Sequence, residues 1–230
     1  MITGEDDVTL QINLAPTDAR HAPTTLPHQI RQWGSQVDHV LLTTDTKPSW
    51  GRYASDWQRG AGELQTLIET LASIDHKITT IDIDYLPAAR REVAEQFLSG
   101  ASSPLRDARG APFYAYLFGL HLVQTRYVLH SDADMLFGGG SQRWIEEAIA
   151  MLKKEPDVLF SGPFPGPPTA DRLLLPDVAA ISHRSQMFGS PCIPELGYGG
   201  GLSFKHMSTR TYLLDLHRFR DRVRGIEVLM

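Results

Sequence analysis

Two aspartates stand one residue apart at the end of an apolar run, Tyr127-Val128-Leu129-His130-Ser131-Asp132-Ala133-Asp134. An extended strand sends alternate side chains to opposite faces, so Asp132 and Asp134 are expected on the same side of the chain. Two like charges held that close repel one another in a half-buried crevice unless something cationic sits between them. Ligands made only of oxygen suit Mg²⁺ or Mn²⁺, which complete their shells with water and phosphate oxygens. The pair therefore implies a divalent ion shared with the diphosphate of a nucleotide. Two solvated turn aspartates are the plainer reading, since Asp is common after strands. The paired placement, the apolar strand before it and the glycines after it (Gly138-Gly139-Gly140) agree better with the functional one.

The pair needs a scaffold, and the flanking sequence supplies alternating elements. Val8 to Leu14 alternates apolar and polar residues like a strand, and Pro16-Thr17-Asp18 ends it. Leu26, Ile30 and Trp33 follow at helical spacing, with Gly34 placed to stop the helix. Val37 to Thr44 is a second strand that closes on Asp45. Leu64, Leu67, Ile68, Leu71 and Ile74 form an amphipathic helical stripe. Lys77 to Tyr85 is a third strand, Pro87 to Leu98 a helix, and Ala111 to Gln124 a helix apolar all round. After the aspartate pair, Ser141 is placed to cap a helix carrying Trp144, Ile145, Ala148, Met151 and Leu152 inward. Asp157 to Phe160 is another short strand. A last helix from about Thr209 to Val223 points Tyr212, Leu213, Leu216 and Phe219 inward.

This order predicts an α/β fold, a Rossmann-like and mostly parallel sheet with helices on both faces. In such sheets ligands bind beyond the carboxyl ends of the strands, where Asp18, Asp45, Asp84 and the pair all fall. Trp50, Tyr53 and Trp57 sit in a loop suited either to stacking on a base or sugar, or to packing on the sheet. His130 reads as a packed strand histidine, and Trp33, Trp144 and Phe219 as core.

The bulk numbers narrow the field. With 230 residues, 42% hydrophobic and 21% charged, the chain suits one large domain with a sizeable core. Its net charge of -5 carries no basic stripe, which argues against nucleic acid. Cys192 is the single cysteine, so neither an internal disulfide nor a cysteine-rich zinc site is expected. There is no apolar leader and no run long enough to span a bilayer, so the expectation is a cytoplasmic protein without a transmembrane segment.

With these residues in view, the stretch from Gly110 to Gly140 resembles the middle of a GT-A fold glycosyltransferase, closest to the family 2-like group. The resemblance implies a nucleotide-sugar donor, a divalent metal (Mn²⁺ or Mg²⁺) and transfer of the sugar to the hydroxyl of an acceptor. It matches Asp132-Ala133-Asp134 to the family's Asp-x-Asp motif, with Asp132 nearer the ribose and metal and Asp134 a direct metal ligand. Asp45 matches an aspartate that contacts base or ribose. Pro16 to Asp18 occupies the first nucleotide loop, and Arg109, before Gly110, falls near the diphosphate. Gly199-Gly200-Gly201 resembles the glycine segment through which the acceptor approaches the donor sugar. The family usually carries a catalytic carboxylate on a late helix, often in a Glu-Asp pair. No such pair follows Gly201 here, and Glu227 is the nearest carboxylate in position to act as general base. His206 is a candidate third metal ligand, though a histidine beside Lys205 is more often a surface residue.

The resemblance implies a single GT-A domain over residues 1–230. Residues 8–140 form its nucleotide-binding half and 141–230 its acceptor-binding half, which ends within the apolar Ile226 to Met230 segment as if truncated. Two other functions remain open. One is a haloacid-dehalogenase-type phosphohydrolase, whose motif normally continues with Thr or Val and opens the domain; here Met135-Leu136 follows and roughly half the chain precedes. The other is a catalytically degraded sugar-nucleotide-binding domain.

Overall fold

In a computed structural model of the chain, residues 4–48, 57–107, 110–137, 142–163, 192–193, 201–202 and 210–223 are described, with the backbone alone for 192–193 and 201–202. In chain order they form β1 (Val8–Leu14), a 3-10 turn (Pro16–Arg20), α1 (Ala22–Trp33), β2 (His39–Thr44), α2 (Trp57–Ile74), β3 (Ile78–Asp82) and α3 (Pro87–Phe97). Then come α4 (Tyr114–Leu122), β4 (Tyr127–Ser131), α5 (Trp144–Lys154), β5 (Phe160–Ser161), β6 (Cys192–Ile193), β7 (Gly201–Leu202), β8 (Thr211–Asp215) and α6 (Leu216–Val223).

Six strands make one sheet in the order β3-β2-β1-β4-β8-β5. The first four run parallel, and β8 is inserted antiparallel between β4 and β5. This is the mostly parallel α/β sheet the sequence predicts. Strand β1 is buried along almost its whole length, and its alternation separates two different interiors. Val8, Leu10, Ile12 and Leu14 join Leu26 and Trp33 of α1, Leu64 and Ile68 of α2, and Ile145 and Leu152 of α5 in one apolar cluster. Gln11 and Asn13 face the opposite side, beneath α4. A side chain at Gly119 of α4 would place its Cβ 2.5 Å from Nε2 of Gln11 and 3.0 Å from Oδ1 of Asn13, so a larger residue would have to push these two side chains aside. Helices thus cover both faces, and the Phe97 and Phe219 rings, 6.1 Å apart, join α3 to α6 beside α4.

Several local expectations are corrected, among them the strand read at 157–160, which is confined to Phe160–Ser161, and the loop placement of Trp57, which opens α2. Residues 211–215 are a strand, not the start of the last helix, which is confined to Leu216–Val223. All five strand residues are buried between β4 and β5, and so short a run, buried on both faces, fits either period. Ile74, read as the end of the inward stripe of α2, is 77% exposed because the helix finishes on it. The expected cap Ser141 lies outside the described residues, and Arg143 occupies the N-cap position of α5 without a capping side chain.

The chain falls into two compact units, Met1–Ser161 with Arg210–Met230, and Gly162–Thr209. In the second, β6 and β7 form a two-stranded antiparallel ribbon. Among the described residues no helix is long and apolar enough to cross a membrane.

Candidate functional site

The chain leaves β1 toward β2 on one side, whereas β4 lies on the other side of β1. At such a reversal of strand order the segments leaving the two carboxyl ends diverge and open a crevice. A cavity of about 190 Å³ occupies this place, lined by Asn13, Ala15, Asp18, Asp45, Tyr116, Asp132, Asp134 and their neighbours. Four of the residues singled out in the sequence, Asp18, Asp45, Asp132 and Asp134, therefore come together. All lie in the first unit.

Asp132 and Asp134 meet across Arg210. Strand β4 ends at Ser131, and the aspartates sit in the turn that follows, closed by the Met135 N–H donating to the Asp132 carbonyl at 3.3 Å. The same-side placement thus comes from a turn rather than from strand alternation. The register of β8 on β4 pairs Thr211 with Ser131, so Arg210 falls beside Asp132, whose N–H donates to the Arg210 carbonyl at 2.7 Å. The Arg210 side chain then returns to the pair: Nε lies 3.3 Å from Oδ2 of Asp132, and Nη2 donates to Oδ1 of Asp134. The hydrogen bond to Asp134 is the chief reason the Arg210 guanidinium is held above its usual pKa range. A cation between the two carboxylates is what their mutual repulsion requires. Here that cation belongs to the protein.

Asp132 is held from several directions. The Tyr116 hydroxyl donates to its Oδ1 at 2.7 Å, and Nε2 of His130 lies 3.5 Å from the same oxygen. Burial, then the neighbouring Asp132, pushes the Tyr116 hydroxyl far above its ordinary pKa, which keeps it protonated and a donor. Gln29, fully buried in α1, donates to the carbonyls of Asp132 at 2.9 Å and Met135 at 3.0 Å, and the Phe137 N–H donates to Nε2 of His28 at 2.8 Å. The turn carrying the pair is thus tied to α1 by backbone contacts that leave both carboxylates facing the cavity. Beneath it, His130 Nδ1 is 2.6 Å from Oε1 of Gln11, whose Nε2 donates to Oδ1 of Asn13 at 2.7 Å. The packed-histidine reading of His130 holds.

Asp18 lies in the 3-10 turn and accepts the Ala15 N–H at 2.8 Å, which shapes the loop leaving β1. Burial raises its carboxyl pKa; Asp134 and Asp132 add to this, while the Ala15 bond and His21 oppose it. Pro16 opens the turn and is buried against α2, where a Cβ on Gly60 would lie 1.9 Å from the Pro16 carbonyl oxygen. Asp45 lines the cavity but is strongly engaged. Its Oδ1 accepts the Tyr85 hydroxyl at 2.6 Å and the Lys47 N–H at 2.9 Å, and its Oδ2 accepts Nη1 of Arg106 at 2.6 Å. The Arg106 and Asp45 side chains are 4% and 3% exposed, so this ion pair is almost fully removed from water.

The donor type of the pair fits Mn²⁺ or Mg²⁺: two anionic oxygen ligands already gathered about one positive charge. Among the described residues no group of three or more His, Cys, Asp or Glu side chains comes together as a ligand set. Arg109, Gly199, Gly200, His206, Glu227, Trp50, Tyr53 and Gly138 to Gly140 lie outside the described residues. Gly201 begins β7, in the second unit. Sequence reasoning missed Arg210, Tyr116, Gln29 and Arg106. Reading 211–215 as a strand antiparallel to 127–131 would have found Arg210, because that register alone brings it to the pair.

No protein-family model matches the chain, and no curated protein does. Among solved structures it is similar to an active-site mutant of LgtC, at 11% identity and a TM-score of 0.44, over 94% of this chain and 59% of that one. It is also similar to the mannosyltransferase Ktr4p from S. cerevisiae, at 11% identity and a TM-score of 0.39, over 95% and 60%. The same mannosyltransferase in complex with GDP gives 10% identity and a TM-score of 0.36, over 95% and 60%. The chain spans about three-fifths of the length of the solved structures it matches. At such distances the likeness carries no argument about chemistry, which has to come from the cavity itself.

Proposed function

We propose that this chain is a glycosyltransferase that moves a sugar from a nucleoside-diphosphate sugar to an acceptor hydroxyl, with Mn²⁺ or Mg²⁺ as cofactor. One observation carries the reading: an acidic pair gathered about a single positive charge, in the crevice where strand order reverses between β1 and β4. That crevice is where open α/β sheets take nucleotides.

In the reaction the acceptor oxygen bonds to the anomeric carbon while that carbon's bond to the diphosphate breaks. The diphosphate leaves with added negative charge, and a divalent ion held by Asp132 and Asp134 would neutralise it. Tyr116 and Gln29 hold Asp132 and its turn in place, so little reorganisation is needed when the donor binds. The turn from Pro16 to Asp18 flanks the diphosphate, joined by Arg109. Asp45, fixed by Arg106 and Tyr85, faces the base or ribose. Residues 8–140 bind the nucleotide, and residues 141–230 receive the acceptor, with Gly199 to Gly201 allowing close approach. Glu227 takes the proton of the acceptor hydroxyl. A cavity of about 190 Å³ is smaller than the ~300 Å³ of common ligand clefts, so it takes only part of the donor.

A thermal-shift screen of UDP-, GDP- and dTDP-sugars, each with and without Mn²⁺, tests the proposal. At least one donor should raise the melting temperature only when the ion is present, since a ligand at about 100 times its Kd stabilises by about 2.7 kcal/mol. That donor should then release its nucleoside diphosphate in the presence of acceptor hydroxyls. No response to any donor, together with hydrolysis of p-nitrophenyl phosphate, would transfer the chain to the phosphohydrolases.

A further inference from the structure

We propose that Arg210 and a divalent cation are alternative occupants of the Asp132–Asp134 pair, so that the ion enters only when the guanidinium leaves and metal binding depends on the nucleotide. This rests on reading the pair as a cation and diphosphate site. The guanidinium reaches both carboxylates at once, Nε toward Oδ2 of Asp132 at 3.3 Å and Nη2 toward Oδ1 of Asp134. An ion bridging those same oxygens, Oδ2 of Asp132 and Oδ1 of Asp134, would stand where the guanidinium stands.

The anchoring of Arg210 permits such an exchange. Its backbone is fixed by the Asp132 N–H and by the start of β8, and its side chain is 51% exposed. Charge sets the order of events. The guanidinium offsets part of the negative charge of Asp132, Asp134 and the neighbouring Asp18, which weakens the attraction for a strongly hydrated ion. Placing the ion beside a retained guanidinium would set two positive groups on one acidic pair, and a diphosphate relieves their repulsion. Diphosphate oxygens both add ligands to the ion and accept the displaced guanidinium, for which Arg is well shaped. Arg210 is thus a positioning residue that holds the two carboxylates together before the donor arrives and makes ion and donor bind together.

The test titrates Mn²⁺ into the intact protein without nucleotide and follows the free hexaaqua ion by electron paramagnetic resonance. Arg210→Ala should bind Mn²⁺ about tenfold more tightly than the unmutated protein, the equivalent of losing two partly exposed ion pairs. Arg210→Lys, which keeps the charge but loses the fork, should fall between them. The gain should vanish in Arg210→Ala/Asp134→Asn, and UDP or GDP should tighten Mn²⁺ binding more in the unmutated protein than in Arg210→Ala. Equal or weaker Mn²⁺ binding by a cooperatively melting Arg210→Ala overturns the proposal, as does a gain that survives in the double variant. A lysine variant at unmutated affinity reduces the effect to net charge and overturns it equally. If a sugar nucleotide with Mn²⁺ is turned over while Arg210→Ala leaves ion affinity unchanged, only this role of Arg210 falls. If no variant binds Mn²⁺ or nucleotide, the sugar-transfer reading falls with it.

Discussion

The hydroxyl of Tyr116 lies 2.7 Å from Oδ1 of Asp132 and joins α4, on the polar face of the sheet, to the turn that carries the acidic pair. With Gln29 holding the backbone of the same turn from α1, Asp132 is fixed by helices on opposite faces. Its partner Asp134 is 50% exposed and held by Arg210, which makes it the more responsive member of the pair.

Tyr116→Phe removes one donor from a carboxylate that is 22% exposed. Hydrogen bonds to charged groups contribute about 1.5–3 kcal/mol, and partial exposure places this one near the lower figure. Urea denaturation should show a loss of about 1.5 kcal/mol with an unchanged slope. A loss under a few tenths would mean that water replaces the hydroxyl.

Arg106 and Asp45 form a nearly water-free ion pair, and removing one member strands the other. Breaking such a pair from one side costs about 3–5 kcal/mol, whereas replacing both members with apolar groups is often close to neutral. Arg106→Met should therefore destabilise strongly, and Arg106→Met/Asp45→Leu should recover part of the loss. Additive losses in a double-mutant cycle would show that the two residues act separately.

The parts written in local patterns could be read from the sequence, and the parts written in register could not. The apolar strands and the aspartate pair stand out because each is contiguous. The polar residues of β1 look like the wet face of a half-buried strand, yet Gln11 is fully buried because Gly119 lets α4 lie directly on it. Thr211 to Asp215 satisfies both helical and extended spacing, and burial on both faces decides for the strand. That misreading hid Arg210, which is 76 residues from the aspartate it bonds. Arg106 was overlooked for a similar reason: 61 residues separate it from Asp45, and nothing local marks the pairing.

Asp18 yields a pH dependence. Its folded-state carboxyl pKa is raised above 3.8, mainly by burial. In the interval above that value the folded state binds more protons than the unfolded one, so the Asp18 contribution is most favourable in acid and is lost as pH rises through the folded pKa. Asp18→Asn keeps an oxygen for the Ala15 N–H and cannot ionise. The variant should melt higher than the unmutated protein at pH 7, and the advantage should shrink to nothing as pH falls below about 3.8. An advantage that grows in acid would contradict this.

Two glycines of α2 should respond in opposite directions. Gly62 has open space around it, so Gly62→Ala should gain up to about 1 kcal/mol from helix propensity. At Gly60 a Cβ would collide with the Pro16 carbonyl, and overpacking of this kind costs about 1–3 kcal/mol. Gly60→Ala should therefore lower the melting temperature and weaken nucleotide binding, because it displaces the turn beside the cavity. Equal stabilisation by both alanines would place α2 further from that turn.

Isothermal titration calorimetry of UDP and GDP, with and without Mn²⁺, on the unmutated protein and on Asp134→Asn bears most directly on the central claim. A nucleoside diphosphate should bind the unmutated protein in an ion-dependent way. Asp134→Asn, with its fold intact by circular dichroism and melting, should lose that dependence and nearly all of the affinity. Undiminished, ion-dependent binding by Asp134→Asn would contradict the account.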